Sequence, residues 1–235
     1  MKVLNDKNKC CGCQACFNAC NSKAIEMKYD DEGFLYPFIS DEKCVQCGRC
    51  KAVCPIFHKP DNNPLELAYG CYAKNQDEHK SSSSGGIFSV IAREVLANGG
   101  VICGAAYDYD QLVNHIIIDN EDNLKHLKET KYVQSSIGDV YQTLQCHLKT
   151  GRQVLFSGVP CQVAGLKSYL NQDYDNLFCI DLICHGVPSP DVWKQYLSEI
   201  SPDNTVRKVI SCPFAHFVFF SWEMSGSFCL CTVKF

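Results

Sequence analysis

The sequence predicts an α+β, ferredoxin-like N-terminal domain followed by an α/β domain with a mostly parallel sheet that is cut short at its C-terminus. Three observations carry this expectation. Nine of the 18 cysteines fall within the first 54 residues. A cysteine pattern inside that stretch occurs twice. Beyond Leu65, short apolar strands alternate with amphipathic helices, as in a sheet covered by helices. The expected domains are residues 1–60 and 61–210, with an atypical tail at 211–235.

Composition excludes several classes. A chain of 235 residues with 46% hydrophobic content can bury a core and is not intrinsically disordered. A net charge of −4 without a basic face argues against nucleic acid as a partner. Met1–Lys9 lacks the apolar core of a secretory signal. The uncharged run Val209–Trp222 is only 14 residues long and contains Pro213, too short for a membrane span. A cytoplasmic location is expected, where thiols stay reduced and clustered cysteines serve metals or redox chemistry.

In the first domain, Cys10-x-x-Cys13-x-x-Cys16-x-x-x-Cys20 recurs 34 residues later as Cys44-x-x-Cys47-x-x-Cys50-x-x-x-Cys54. Between the runs, Ile25, Met27 and Tyr29 alternate with polar residues. Asp30–Gly33 turns, and Phe34–Ile39 returns, which is a hairpin pattern. Each run gathers three thiolates around one small volume. In two-cluster ferredoxins the last cysteine of each run ligates the other run's cluster. Cys10, Cys13, Cys16 and Cys54 are therefore expected to hold one 4Fe–4S cluster, and Cys44, Cys47, Cys50 and Cys20 the other. Structural zinc is the competing assignment. The identical triple spacing, the Cys54-Pro55 ending and the absence of any His before His58 argue against it. Cys11 is expected to be a bystander.

Lys59–Pro64 reads as a linker. After it, strands are expected at Ala68–Lys74, Val101–Tyr107, Val113–Asp119, Val154–Ser157 and Leu177–Cys184. Helices are expected at Ile87–Ala97, Asn123–Thr130, Asp139–Lys149, Cys161–Leu170 and Asp191–Ile200. Ser211–Phe235 holds six Phe and three Cys, with only Glu223 and Lys234 charged. It reads as a disrupted or truncated end rather than a strand pair closing the sheet. Cys71, Cys103, Cys146 and Cys179 read as filler.

Neither standard nucleotide fingerprint is present. Three loops nevertheless qualify as a site. Ser81–Gly86 combines small residues with a helix start, suited to an anion. Ser157–Gln162 places Cys161 at a helix N-terminus, where a thiol is activated. Cys184-His185-Gly186-Val187-Pro188 follows an apolar strand. In a parallel sheet all three lie at carboxyl ends of strands, where ligands bind.

The set Ser84-Gly85-Gly86, Lys131-Tyr132-Val133-Gln134-Ser135, Gly158-Val159-Pro160-Cys161-Gln162 and Asp181–Pro188, behind two ferredoxin runs, resembles the coenzyme F420 hydrogenase/dehydrogenase beta-subunit family over Lys9 to Lys208. The resemblance implies an oxidoreductase in which a flavin, FAD, works beside iron–sulfur clusters. Hydride then passes to an acceptor such as a deazaflavin, and a redox partner protein or subunit exchanges electrons. By position, Ser84, Gly85 and Gly86 would hold the flavin's phosphates or ring edge. Lys131, Gln134 and Ser135 would line its polar edge, and Gly158, Pro160 and Gln162 would approach the ring. Cys161, Cys184 and His185 would be catalytic, with the two thiols as redox groups or ligands of an additional iron site. The alternative is a ferredoxin-type electron-carrier subunit without a substrate site of its own.

Overall fold

The computed structural model describes residues 3–4, 6–58 and 69–200, and the backbone of 231–234. In the head, α1 (Ala15–Asn18) precedes the antiparallel hairpin of β1 (Ile25–Tyr29) and β2 (Leu35–Ile39), and α2 (Arg49–Ala52) follows it. The hairpin turns where the acidic, Gly-containing stretch predicts. The Asp30 carboxylate accepts from the amides of Glu32 (3.1 Å) and Phe34 (2.8 Å), and Gly33 takes the left-handed conformation, φ +77°. The register Ile25↔Ile39 turns both residues inward, where they pack beside Val3, Cys16 and Cys54.

The second domain is built on a five-stranded sheet of order β4-β3-β5-β6-β7. β3 (Val101–Tyr107), β5 (Val154–Gly158) and β6 (Leu177–Leu182) run parallel. β4 (Val113–Ile118) is antiparallel to β3. The link between them is a tight turn in which Asp108 accepts from the amides of Asp110 and Leu112, both at 2.9 Å. A link that short permits only a hairpin, because a parallel crossover needs a dozen or more residues. β7 (Cys231–Lys234) pairs antiparallel with β6, from Cys179↔Lys234 to Leu182↔Cys231. The remainder of the expected tail lies outside the described residues.

The remaining helices are α3 (Gln76–Lys80), α4 (Ile87–Ala97), α5 (Leu124–Leu127), α6 (Val140–Lys149), α7 (Pro160–Leu170) and α8 (Pro190–Ile200). Side chains alternate across the central strands. Val101, Cys103, Val154, Phe156 and Cys179 face a core shared with α6, α7 and Ala15 of the head. Ile102, Leu155 and Ile180 face the opposite core with Ala92 and Val95 of α4 and Leu124 and Leu127 of α5.

Several expectations change. Residues 69–74 form no strand, and Ala68 lies outside the described residues. The Ala73 amide donates to Gly85 O (2.6 Å), so this segment lies over the Ser-Gly-Gly loop instead of joining the sheet. The helix expected at Asn123–Thr130 is a 3-10 turn (Glu121–Asn123) followed by the single turn α5. Lys128 leaves the helical region, and its side chain pairs with Glu78. Cys103 and Cys179 are buried, but Cys71 and Cys146 are exposed and fill no core.

One buried group makes the fold pH-sensitive. His115 of β4 is 5% exposed, stacks on Phe156, and places Nε2 3.2 Å from Ser157 O, while Nδ1 has no partner among the described residues. Burial lowers its pKa to about 4, only partly offset by the Ser157 carbonyl. The unfolded chain therefore takes up a proton near pH 6.5 that the fold resists. This contribution to stability is complete above pH 6.5 and is lost as pH falls toward 4. Its full extent is about 3 kcal/mol. Urea denaturation of His115→Gln at pH 7.5 and pH 5 should show a smaller acid loss than the parent chain shows.

Candidate functional site

The two cysteine runs adopt the same backbone. Residues at the third and fifth positions of each run take the left-handed conformation: Gly12 (φ +66°) and Gln14 (+60°) in the first, Gln46 (+53°) and Gly48 (+76°) in the second. Glycine and glutamine exchange places between the runs, yet the turns do not change. A left-handed non-glycine residue costs about 1 kcal/mol, so each run accepts one such strain to wrap its thiols. A short helix then begins one residue before the third cysteine in both, α1 before Cys16 and α2 before Cys50.

The fourth cysteines cross over. Cys10, Cys13, Cys16 and Cys54 line one cavity of about 360 Å³, its open mouth included, with Val3, Leu4, Met27, Pro37 and Ile56. Cys20, Cys44, Cys47 and Cys50 line a second of about 340 Å³ with Ala24, Ile25, Ile39 and Val45. Among the described residues, no three His, Cys, Asp or Glu converge as a single metal ion would require. Four soft thiol donors around an apolar volume fit an iron–sulfur cluster. In the first cavity burial raises the Cys10 pKa, and burial with the neighbouring thiols Cys10 and Cys54 pushes Cys16 up to about 12. Burial also raises Cys50 in the second. Cys20 shifts down: burial opposes this, but Ser22 and the amides of Ala24 and Ile25 outweigh it. Ala24 N–H reaches Cys20 Sγ at 3.2 Å, the type of contact that tunes a cluster's potential.

The first cavity is the inner one. Cys13, Cys16 and Cys54 are buried, whereas Cys47 is exposed and Cys20, Cys44 and Cys50 are half-buried. The inner run is clamped to the α/β domain. The fully buried Tyr141 hydroxyl lies 3.0 Å from Cys13 O and 2.8 Å from Gln162 O, sharing one proton between them. Gly165 of α7 faces Cys13 so closely that a Cβ would come within 3.0 Å of its Sγ. Gln14 Oε1 accepts from Gly138 N (2.9 Å), Asn18 Nδ2 donates to Gly138 O (2.8 Å), and Gln142 Nε2 donates to Asn18 O (2.9 Å).

The expected flavin residues separate into two groups. Thr130 N donates to Ser83 Oγ (3.1 Å), and Lys128 Nζ to Ser81 Oγ (2.8 Å), so the serine loop and the 128–131 segment come together. Lys128 and Arg93 both pair with the buried carboxylate of Glu78 at 2.6 Å. Burial would raise the Glu78 pKa, but Lys128, Ser89 and Arg93 bring it down to about 2. Gly86 (φ +76°) starts α4 without a capping side chain, which leaves first-turn amides for an anion, and Ser84 beside it is exposed. Lys131 is turned inward: Nζ donates to the carbonyls of His126, Lys128 and Glu129, and burial lowers its pKa to about 8. Gln134 instead serves the head, accepting from Leu35 N (3.0 Å). Gln162 donates to Ser135 Oγ (2.8 Å) and accepts from Val159 N (3.1 Å), closing the Gly158–Gln162 loop on itself; Pro160 opens α7 and is exposed.

Cys161 meets an unexpected neighbour. Its thiol lies 3.9 Å from Cys11 O, and the Cys11 side chain is within hydrogen-bond reach of both Cys13 and Cys161. Those two contacts, Cys13 first, lower the Cys11 thiol to about 3 against the effect of burial. The shared contact with Cys11, then burial, raises Cys161. Cys184 is close enough to act on Cys161 electrostatically; it accepts from Gly186 N (3.3 Å), and both Cys184 and His185 are exposed.

Known proteins match the same two regions. The model of the 4Fe-4S dicluster domain matches residues 9–57. The model for the C-terminal part of the coenzyme F420 hydrogenase/dehydrogenase beta subunit matches residues 151–225. A polyferredoxin-like protein of Methanocaldococcus jannaschii is 43% identical over 56 residues, which cover 20% of this chain and 33% of that relative. The chain thus spans about a third of the length of this relative.

Spacing alone picks out eight of the nine thiols that line the two cavities. It misses Cys11, because adjacency in sequence to Cys10 carries no sign of contact with Cys161. It also misses Tyr141, whose only signal is a place on an apolar helix face. Two glycine substitutions separate the forces at work in the runs. Gly48→Ala meets nothing within 4 Å and adds only left-handed strain, a loss of about 1 kcal/mol. Gly12→Ala adds a Cβ 2.8 Å from Gln134 Nε2 as well and should cost more. Thermal denaturation of the two holo variants checks the order.

Proposed function

We propose that the chain is an iron–sulfur flavoprotein oxidoreductase module. Cys10, Cys13, Cys16 and Cys54 hold one 4Fe–4S cluster, and Cys44, Cys47, Cys50 and Cys20 hold a second. The crossing of Cys54 and Cys20 between the two cavities is the observation that carries this reading. Clusters supply one-electron transfer, and FAD converts it to hydride transfer toward a deazaflavin or another acceptor.

The chain's own residues prepare this chemistry. Apolar neighbours exclude water from the inner thiols, and Tyr141 and Gly165 hold that site against α7, whose second residue is Cys161. The uncapped start of α4 at Gly86, with Ser84 and Gly85, supplies amides for the flavin's phosphates. Glu78, Lys128 and Arg93 fix the serine loop beside it. Cys161 and Cys184, with His185, serve next to the inner run as redox thiols or ligands of an additional iron site. The electron path is completed by a redox partner, either a separate protein or another subunit.

A second reading is an electron-carrier subunit without its own substrate site. It is favoured by the engagement of Lys131, Gln134, Ser135 and Gln162 with protein groups. Anaerobic reconstitution with iron, sulfide and FAD distinguishes the two. The flavoprotein reading expects about eight irons per chain and a stoichiometric flavin; iron without flavin leaves the carrier reading. Cys54→Ser should remove the inner cluster's signal in electron paramagnetic resonance and keep the outer one, and Cys20→Ser the reverse. Loss of the same signal in both variants would contradict the crossed ligation.

A further inference from the structure

The two cavities differ in what surrounds them, and the difference gives the head a direction. The inner one is walled by α7 and by the clamp at Tyr141. The outer one opens to solvent at Cys47, beside Val45, which is 71% exposed although aliphatic. Lys23, Lys43, Arg49 and Lys51 are all exposed and lie within three residues of an outer cysteine. Only Asp41 and Glu42 oppose them in the 41–51 segment. This rim is therefore net positive on a chain whose overall charge is −4.

We propose that the Cys44–Cys47 edge is the docking port for an acidic one-electron carrier protein, with Val45 at the contact centre and Lys23, Lys43, Arg49 and Lys51 around it. The proposal rests on the assignment of a cluster to the outer cysteines. An exposed apolar residue with exposed cations beside it in the chain suits a transient redox encounter: opposite charge steers the carrier in, and the small apolar centre lets it leave. The port belongs to the second run and the Tyr141 clamp to the first, so with both clusters bound an electron arriving there would pass from the cluster held by the outer cysteines to the one held by the inner cysteines before it reached the α/β domain. Local charge gives the partner's chemistry, because the cations of the 41–51 segment and Lys23 outnumber Asp41 and Glu42.

The test uses reconstituted holoprotein and an acidic two-cluster ferredoxin, with affinity measured by biolayer interferometry at 50 and 300 mM NaCl and iron counted on the same sample. Zero-length carbodiimide cross-links are mapped by mass spectrometry. Affinity should fall about tenfold with added salt, and cross-links should join ferredoxin carboxylates to Lys23, Lys43 and Lys51. The double variant Lys43→Glu/Lys51→Glu should weaken binding about tenfold at low salt and flatten the salt dependence. The control Lys125→Glu/Lys149→Glu, on exposed positions of α5 and α6, should bind as the parent does. Salt-independent binding, no binding, cross-links at Lys125 or Lys149, or equal loss in the control overturns the port. A holoprotein lacking the outer cluster by iron count and spectrum instead removes the assignment beneath it.

Discussion

The contact between the first cysteine run and α7 is the constraint on which the rest of the structure depends. Tyr141, buried in the sheet's core, brings one hydroxyl to the carbonyls of Cys13 and Gln162. One residue therefore ties a candidate cluster loop to the helix whose first turn carries Cys161. The bond is effective because both carbonyls are buried, where an unmade hydrogen bond costs about 1–3 kcal/mol. Gly165 makes the approach possible, since any side chain there would collide with Cys13. The polar contacts of Gln14, Asn18, Gln134 and Gln142 spread the same docking over the head. The head is consequently a fixed part of the molecule's core and not a tethered appendage, as Ala15 and Cys13 within the main apolar cluster also indicate.

Under the proposed function a rigid junction would matter because tunnelling weakens steeply with distance, and a cluster on the inner cysteines would keep one separation from the α/β domain. The outer thiols have the opposite requirement. They sit under little protein, with Cys47 at the surface, and are accessible to a second molecule. The two halves of a repeated sequence have thus been given different surroundings by one packing interface. The hairpin of β1 and β2 supplies the scaffold that holds them apart, with Ile25 and Ile39 packed beneath both.

The α/β domain divides its polar residues between scaffold and site. Glu78 with Lys128 and Arg93 anchors the serine loop, the two cations together stabilising one carboxylate that burial would otherwise destabilise. Lys131 spends its three donors on its own loop's carbonyls. These residue types suggest a ligand when seen as a motif, yet a loop that carries buried carbonyls needs the same donors. The start of α4 is different, because no side chain caps it.

The sequence alone determined the eight cysteines of the two runs, the hairpin between them, the parallel core strands and the main helices. Each depends on local spacing or a short apolar period, which the chain carries in any context. Tertiary structure decided the rest. It kept 69–74 out of the sheet, brought Cys11 to Cys161, and turned Gln134 toward Leu35. It also set Cys103 and Cys179 in the core while exposing Cys71 and Cys146. These outcomes depend on contacts between residues far apart in sequence, as with Tyr141 and Cys13, and no local pattern encodes which distant surface a side chain will meet.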